Sequence, residues 1–218
     1  MGASTLLRIS SLCAAFTLAL SLACVPALAA DAPKPERAVD MAAVLKPGPL
    51  PELVEGDANG VPVVEYGSLT CSHCGVFARE VLPKFEKAYV ETGKVRFIFR
   101  EFARNPLDLG AFVLARCLGD DKALAAVELL FAQQDKWAFV DKPLEPLIAA
   151  MRPAGLAHDK AMECLKDQQK AEAIRSIGKT ASDVTQIEGT PSFAIDGKFY
   201  GGELTLDQLD AILKPLVK

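Results

Sequence analysis

Apolar and polar positions change their spacing along residues 61–102, and each spacing predicts a different element. Residues 61–66 are nearly all apolar, which is typical of a buried strand. From Cys71 the apolar positions recur every three or four residues, which predicts a helix with one buried face, kinked at Pro83 and ended by Gly93. In residues 94–102 the apolar side chains Val95, Phe97 and Phe99 stand at every second position, which predicts a second strand. This strand, helix, strand unit predicts a parallel pair, with Cys71 at the carboxyl end of the first strand.

Helical spacing replaces strand spacing over residues 106–188, which we interpret as an all-helical insertion. Trp137 and Phe139 are expected in its core. The predicted helices cover residues 107–118, 122–134, 144–151, 159–165 and 168–187.

Strand character returns after the insertion. Residues 191–195 and 198–200 predict an antiparallel hairpin that turns at Asp196-Gly197. A last helix is expected from Thr205, with Gln208 in the position that completes a capping box.

The segment before residue 61 carries weaker signals. Residues 31–50 are rich in proline, alanine and charge, and predict a linker or N-terminal arm with one short helical possibility at 38–45. Leu53-Val54 is a candidate for a short edge strand.

The first residues have the layout of a cleaved secretory signal. Arg8 precedes an apolar stretch at residues 9–25, and cleavage after Ala29 satisfies the rule of small residues around the cut. Retention as a membrane anchor and lipidation at Cys24 are the alternatives. In each case the mature domain faces an oxidising compartment, where disulfides persist.

Composition limits the partners of the chain. The 218 residues are 50% hydrophobic, enough to bury a full core, and their length suits one domain or one domain with an insertion. The formal net charge is −4. Arg8 is the one charged side chain of the leader, so cleavage removes one positive charge and leaves about −5. An acidic chain without basic clusters is a poor candidate for nucleic-acid binding, so we expect no nucleic-acid partner.

Cys71-Ser72-His73-Cys74 carries the candidate chemistry. The first amides of a helix have no intrahelical partners and the helix dipole places positive charge there, so a thiolate at Cys71 is favoured and its pKa is lowered. The four-residue ring closed by Cys74 suits exchange better than structural cross-linking. His73 is expected to donate a hydrogen bond or positive charge to the thiolate, which would make the oxidised form a stronger oxidant. A structural disulfide and half of a zinc site are the alternatives, although no second Cys-x-x-Cys is present.

The order of these elements resembles the DsbA-like thiol-disulfide oxidoreductases of bacterial envelopes. The resemblance covers roughly residues 50–215 and includes Cys71-Ser72-His73-Cys74 and Gly189-Thr190-Pro191. It implies an α/β fold, namely a thioredoxin fold with an all-helical insertion domain. The predicted parts are a signal peptide at 1–29, an arm or linker at 30–50, the first part of the thioredoxin domain at 51–105, the insertion at 106–188, and the second part of the thioredoxin domain at 189–218.

The same resemblance implies roles for individual residues. Cys71 is the expected nucleophile, and Cys74 is the buried resolving thiol. Pro191 is expected to be cis and to pack against the disulfide, while the backbone of Thr190 pairs with an extended substrate. The alternative is an ordinary trans proline that begins a strand. Glu65 matches a buried acid that relays the proton of Cys74, unless it faces solvent at a sheet edge.

Two further predictions concern the remaining charged and thiol groups. Arg100 is a candidate partner for Glu65. Once Cys13 and Cys24 leave with the leader, Cys117 and Cys164 remain in the insertion, and the compartment favours a structural disulfide over two buried free thiols.

The sequence favours a dithiol oxidase that passes the Cys71–Cys74 disulfide to reduced or unfolded secreted proteins, with a DsbB-type membrane redox partner implied by the resemblance. An isomerase or reductase of the same fold is an alternative, mildly favoured by Thr190. A soft-metal-binding or chaperone-like envelope module is an alternative from another class. We expect no cofactor and no resident metal; a monomer is favoured, and the short N-terminal helix leaves oligomers open.

Overall fold

The computed structural model describes residues 1, 2 and 32–217. Apart from its first two residues, the predicted signal peptide, with Cys13, Cys24 and the cleavage site after Ala29, therefore lies outside the described residues. None of the helices in the described part of the chain is both long enough and apolar enough to cross a membrane.

The described residues form one six-stranded mixed sheet, in the order β1-β6-β5-β3-β4-β2. The pair β3 and β4 is parallel, and the other neighbouring pairs are antiparallel, as the sequence predicts for the hairpin. The strands are β1 (Arg37–Ala38), β2 (Leu53–Gly56), β3 (Val61–Gly67), β4 (Val95–Glu101), β5 (Ser192–Ile195) and β6 (Lys198–Gly201).

The helices follow the predicted order closely, and the thioredoxin fold with a helical insertion is confirmed. Thr205 and Gln208 form the predicted capping box at the last helix. The helices are α1 (Met41–Val44), α2 (Ser72–Val76), α3 (Leu82–Phe85), α4 (Pro106–Cys117), α5 (Asp120–Ala132), α6 (Gln134–Trp137), α7 (Leu144–Met151), α8 (His158–Cys164), α9 (Gln168–Thr185) and α10 (Leu206–Leu213).

The helix after Cys71 accommodates Pro83 by changing its hydrogen-bond pattern. Two π-helical segments, Phe77–Val81 and Glu86–Val90, lie before and after α3. Pro83 is the second residue of α3, and the Leu82 N–H before it bonds to the Phe77 carbonyl five residues back. The helix therefore changes its winding on both sides of Pro83, and the kink itself stays a prediction.

The two faces of the sheet pack against different parts of the chain. Val63 of β3 belongs to the large core that includes residues of the insertion, Cys71 and Cys74. Val64 and Tyr66 belong to a smaller core, which also contains Val44 and Ala181. Successive strand residues alternate between faces, so this division also fixes the side on which Glu65 lies.

The N-terminal segment contributes more to the fold than the linker or arm predicted from the sequence. Arg37 and Ala38 pair with β6, and the Arg37 guanidinium lies 4.9 Å from the centre of the Phe199 ring. Val44 of α1 is buried. A two-residue strand is too short to show alternation, which is why the sequence pattern does not reveal it.

The insertion core contains Trp137 but excludes Phe139. The Trp137 indole is fully buried and donates to the Leu130 carbonyl at 2.9 Å. Phe139 lies beyond the end of α6 and is 54% exposed, so its predicted core position is wrong. The predicted helix 122–134 ends at Ala132, and the next residues form the separate short helix α6.

The sulfur atoms of Cys117 and Cys164 are bonded to each other in the structure. The bond joins the C-terminal ends of α4 and α8, with the two Cα atoms 6.1 Å apart. It closes a loop with a sequence separation of 47 residues inside the insertion.

Removal of this bond tests its structural role. We expect the double variant Cys117→Ser, Cys164→Ser to lose about 4 kcal/mol of unfolding free energy by the chain-entropy estimate. The corresponding drop in melting temperature is about 10 °C, measured by thermal denaturation. Loss of thiol exchange without loss of thermal stability would contradict a structural assignment.

Candidate active site

Cys71 caps the N-terminus of α2 directly after the loop that leaves β3. Its backbone is extended, with φ −93° and ψ 120°, and its carbonyl accepts the N–H of Gly75 at 3.1 Å. The residue is only 5% exposed, and the thiol donates to the Thr190 carbonyl at 3.1 Å. Cys71 therefore lies between the start of a helix and the segment that precedes β5.

The surroundings of Cys71 favour its anion. A hydrogen bond from the Cys74 thiol lowers the pKa of Cys71 most, burial opposes this effect, and the backbone amides of Cys74 and His73 lower it further, to about 5. A thiolate cannot donate to a carbonyl, so the bond to the Thr190 carbonyl belongs to the protonated form. At neutral pH Cys71 is a thiolate in the reduced protein.

Cys74 has the opposite environment. Its side chain is fully buried, and burial raises its pKa well above that of a free thiol, followed by its bond to Cys71 and by the charges of Glu65 and Cys71. The Ser68 N–H lies 3.5 Å from the Cys74 sulfur, and this hydrogen bond lowers the pKa of Cys74. The pair therefore consists of one anionic and one neutral sulfur.

Glu65 lies inside the sheet and not at its edge. It is 2% exposed on the central strand β3, so the solvent-facing alternative is wrong. Its Oε1 is buried without a hydrogen-bond partner among the described residues. Burial, followed by the charge of Cys71, raises the pKa of Glu65 to about 8, so this acid holds its proton at neutral pH.

Arg100 is not the partner of Glu65. Glu65 pairs with Phe99 across the sheet, and Arg100 pairs with Tyr66, so the two side chains point to opposite faces. The Arg100 guanidinium instead donates to Glu52 at 2.9 Å and to the Val44 carbonyl at 2.5 Å. It links the N-terminal segment to the sheet.

The His73 side chain does not take the place expected for it. Its imidazole is 74% exposed, and Nδ1 lies 3.5 Å from a carboxylate oxygen of Glu203. His73 stabilises the Cys71 thiolate through its backbone amide and not through its imidazole. A side chain in the first turn of a helix is free to point outward, and the sequence alone does not fix its direction.

Thr190 lies beside Cys71, and the peptide bond between Thr190 and Pro191 is cis. The Thr190 hydroxyl is buried and has no hydrogen-bond partner among the described residues. The structure thus brings Cys71, Cys74 and Thr190 together, although Thr190 is more than a hundred positions from the two cysteines in the chain.

Three residues that the sequence reasoning missed support the loop before Cys71. Asp108 accepts from the Ser68 hydroxyl at 2.6 Å and from the Leu69 N–H at 2.7 Å. Gln134 donates to the carbonyls of Leu69 and Cys71. The sequence does give a signal for Asp108, because it stands three residues after Asn105, a residue type that often caps the start of a helix. Asn105 is the N-cap of α4. Nothing in the sequence pattern marks Ser68 or Gln134.

Glu55, Glu86 and Glu128 form a separate carboxylate group, in which one oxygen from each residue lies within 4.8 Å of the others. They belong to β2, to the second π-helical segment and to α5 respectively. Burial, followed by neighbouring carboxylates, raises the pKa of both Glu86 and Glu128 to about 7. The group is oxygen-rich, as hard divalent cations prefer.

This carboxylate group predicts a pH dependence of stability. A folded-state pKa above the unfolded value means that folding retains protons, so stability falls as the pH rises from about 4.5 to about 7. We expect Glu86→Gln to raise the melting temperature at pH 8 and to change it little at pH 4. The exposed Glu188→Gln is the control, and an equal effect of Glu86→Gln at both pH values would contradict the prediction.

Comparison with known proteins agrees with this geometry. The family model described as thioredoxin matches residues 51–215, and the chain belongs to this family. The crystal structure of Wolbachia pipientis alpha-DsbA1 superposes with a TM-score of 0.70 at 27% identity, covering 78% of this chain and 92% of that one. Bacillus subtilis disulfide bond formation protein D is 26% identical over 77% of both chains. The expected DsbA-like resemblance is confirmed.

Relatives of higher identity carry a related name. A putative protein-disulfide oxidoreductase of Rickettsia conorii is 33% identical over 64% of this chain and 50% of its own length. A second one, from Rickettsia felis, is 33% identical over 69% of this chain and 54% of its own length. The chain thus spans about half the length of these curated relatives.

Proposed function

We propose that this protein is a thiol-disulfide oxidoreductase that donates its Cys71–Cys74 disulfide to folding secreted proteins. The observation that carries the proposal is the opposite shift of the two sulfur pKa values, to about 5 for Cys71 and upward for Cys74. The names of the Rickettsia relatives and the solved DsbA neighbours support it.

The exchange begins with the protein oxidised. A client thiolate attacks the Cys71 sulfur, the Cys71–Cys74 bond breaks, and Cys74 leaves as a thiolate that takes up a proton. A second client thiolate then attacks the client sulfur of the mixed disulfide and displaces Cys71. The client loses two electrons and gains a disulfide, and the protein ends with a Cys71 thiolate and a Cys74 thiol.

The direction of exchange follows from the stability of the products. Because the surroundings of Cys71 stabilise its thiolate, they favour the reduced protein and make the oxidised form a stronger oxidant. A low pKa also makes Cys71 a good leaving group in the second step. We propose that a membrane partner of the DsbB type returns the pair to the disulfide.

The proposed setting is the bacterial periplasm, reached through a cleaved signal peptide. The sequence pattern of residues 1–29 supports it, and so does the disulfide within the insertion, since disulfides persist in oxidising compartments. The Thr190 carbonyl, 3.1 Å from the Cys71 sulfur, supports pairing of the Thr190 backbone with an extended client.

Equilibration with glutathione tests the proposed function. We expect a potential clearly more oxidising than the roughly −270 mV of thioredoxin, and catalysed disulfide formation in a reduced, unfolded client. Cys71→Ser should abolish this activity, while the double variant lacking Cys117 and Cys164 retains it. A potential at or below that of thioredoxin would favour a reductase instead.

Glu65 is proposed to supply the proton that Cys74 needs as it leaves. It is protonated at neutral pH, and its ionised form raises the pKa of Cys74, which means that the two groups lie close enough to act on each other. We expect Glu65→Gln to slow client oxidation at least roughly tenfold in stopped-flow measurements, because the amide keeps the size of the side chain without a transferable proton. Glu203→Gln, beside the exposed His73, is the control, and equal rates for both variants would refute this role.

A further inference from the structure

The segment from Ser68 to Cys71, which we call the active-site loop, is hydrogen-bonded to the helical insertion. Asp108 of α4 accepts from the Ser68 hydroxyl and the Leu69 N–H. Gln134, the first residue of α6, donates through Nε2 to the Leu69 carbonyl at 2.8 Å and to the Cys71 carbonyl at 2.9 Å. Asp108 is 0% and Gln134 1% exposed. The insertion therefore reaches the catalytic loop through two buried polar side chains.

The orientation of the Gln134 amide follows from its neighbours. Its Nε2 faces two backbone carbonyls, which only accept hydrogen bonds, so the amide nitrogen and not the oxygen must lie there. The amide oxygen lies on the side of Gly75, where an added Cβ would overlap it. Because Gly75 has no Cβ, there is room beside it for the side-chain amide of Gln134.

The Cys71 carbonyl is the point at which this contact reaches the reacting sulfur. It accepts from Gln134 at 2.9 Å and from the Gly75 N–H at 3.1 Å. Two donors on one carbonyl fix the orientation of the first peptide of the helix. The amides of His73 and Cys74, which belong to the next two peptides, add to the effect of the Cys74 thiol in stabilising the Cys71 thiolate.

We propose that Gln134 is a positioning residue for disulfide exchange, which fixes the Cys71 carbonyl and thereby keeps the first amides of the helix directed at the Cys71 sulfur. This role rests on the proposed function, and it gives the insertion a part in the chemistry. Gln134 itself does not touch the sulfur; it acts through the peptide that follows Cys71.

The neighbouring residue provides a matched control. Gln133 also donates to a backbone carbonyl, that of Ala150 at 3.2 Å, but this bond stays within the insertion. Gln134→Met and Gln133→Met therefore each remove one glutamine amide, and only the first removes the contact with the active-site loop. Gly75→Ala is a second test. The added Cβ would overlap the Gln134 amide oxygen and displace the amide, whereas alanine itself favours a helix more than glycine does.

The test is the pH profile of alkylation of Cys71 by iodoacetamide in the full-length reduced protein, with thermal denaturation as the measure of folding. We expect Gln134→Met and Gly75→Ala to raise the midpoint by about one pH unit, which is roughly a tenfold lower rate well below the midpoint. Gln133→Met is expected to keep the wild-type midpoint even where it lowers the melting temperature.

The outcomes separate the inference from the proposed function. A low wild-type midpoint that Gln134→Met and Gly75→Ala leave unchanged would overturn the positioning role and leave the proposed function intact. An equal rise in Gln133→Met would also overturn it, because the effect would then come from the insertion in general. A wild-type midpoint near that of a free thiol, about 8.5, would overturn both.

Discussion

The interaction between the Cys71 sulfur and the start of α2 is the constraint on which the structure depends. The Cys74 thiol donates a hydrogen bond to the Cys71 sulfur, and the free amides of Cys74 and His73 add to it, so the anion is favoured in a site that is nearly closed to solvent. The parallel pair of β3 and β4 places this helix start at the carboxyl end of the sheet. The position of the candidate nucleophile thus follows from the topology, and the proposed exchange chemistry rests on it.

Burial divides the site into charged and neutral halves. Cys74 and Glu65 lie deeper than Cys71, and the same lack of water that raises their pKa values keeps both protonated while Cys71 is ionised. A single charge in this core is tolerated, whereas three neighbouring anions would repel one another strongly. The two sulfurs can therefore take different parts in one reaction although they are three residues apart.

Local sequence patterns predicted most of the fold, but they did not predict the orientation of side chains whose contacts are made by residues distant in the sequence. The strand before Cys71, the hairpin and the capping box at Thr205 each have a pattern of spacing or turn residues, and the structure has all of them. The outward turn of His73, the pairing of Arg100 with Glu52 and the exposure of Phe139 depend on distant neighbours. The contact of Gln134 with the active-site loop joins segments more than sixty positions apart, which no local period encodes.

The central claim is that the folded protein holds Cys71 as a thiolate, and ultraviolet titration of the thiolate in the reduced protein measures this directly. We predict a transition with a midpoint near 5 that disappears in Cys71→Ser and moves to the range of an ordinary thiol when the protein is unfolded. A folded-state transition at about 8.5, equal to that of the unfolded chain, would contradict it.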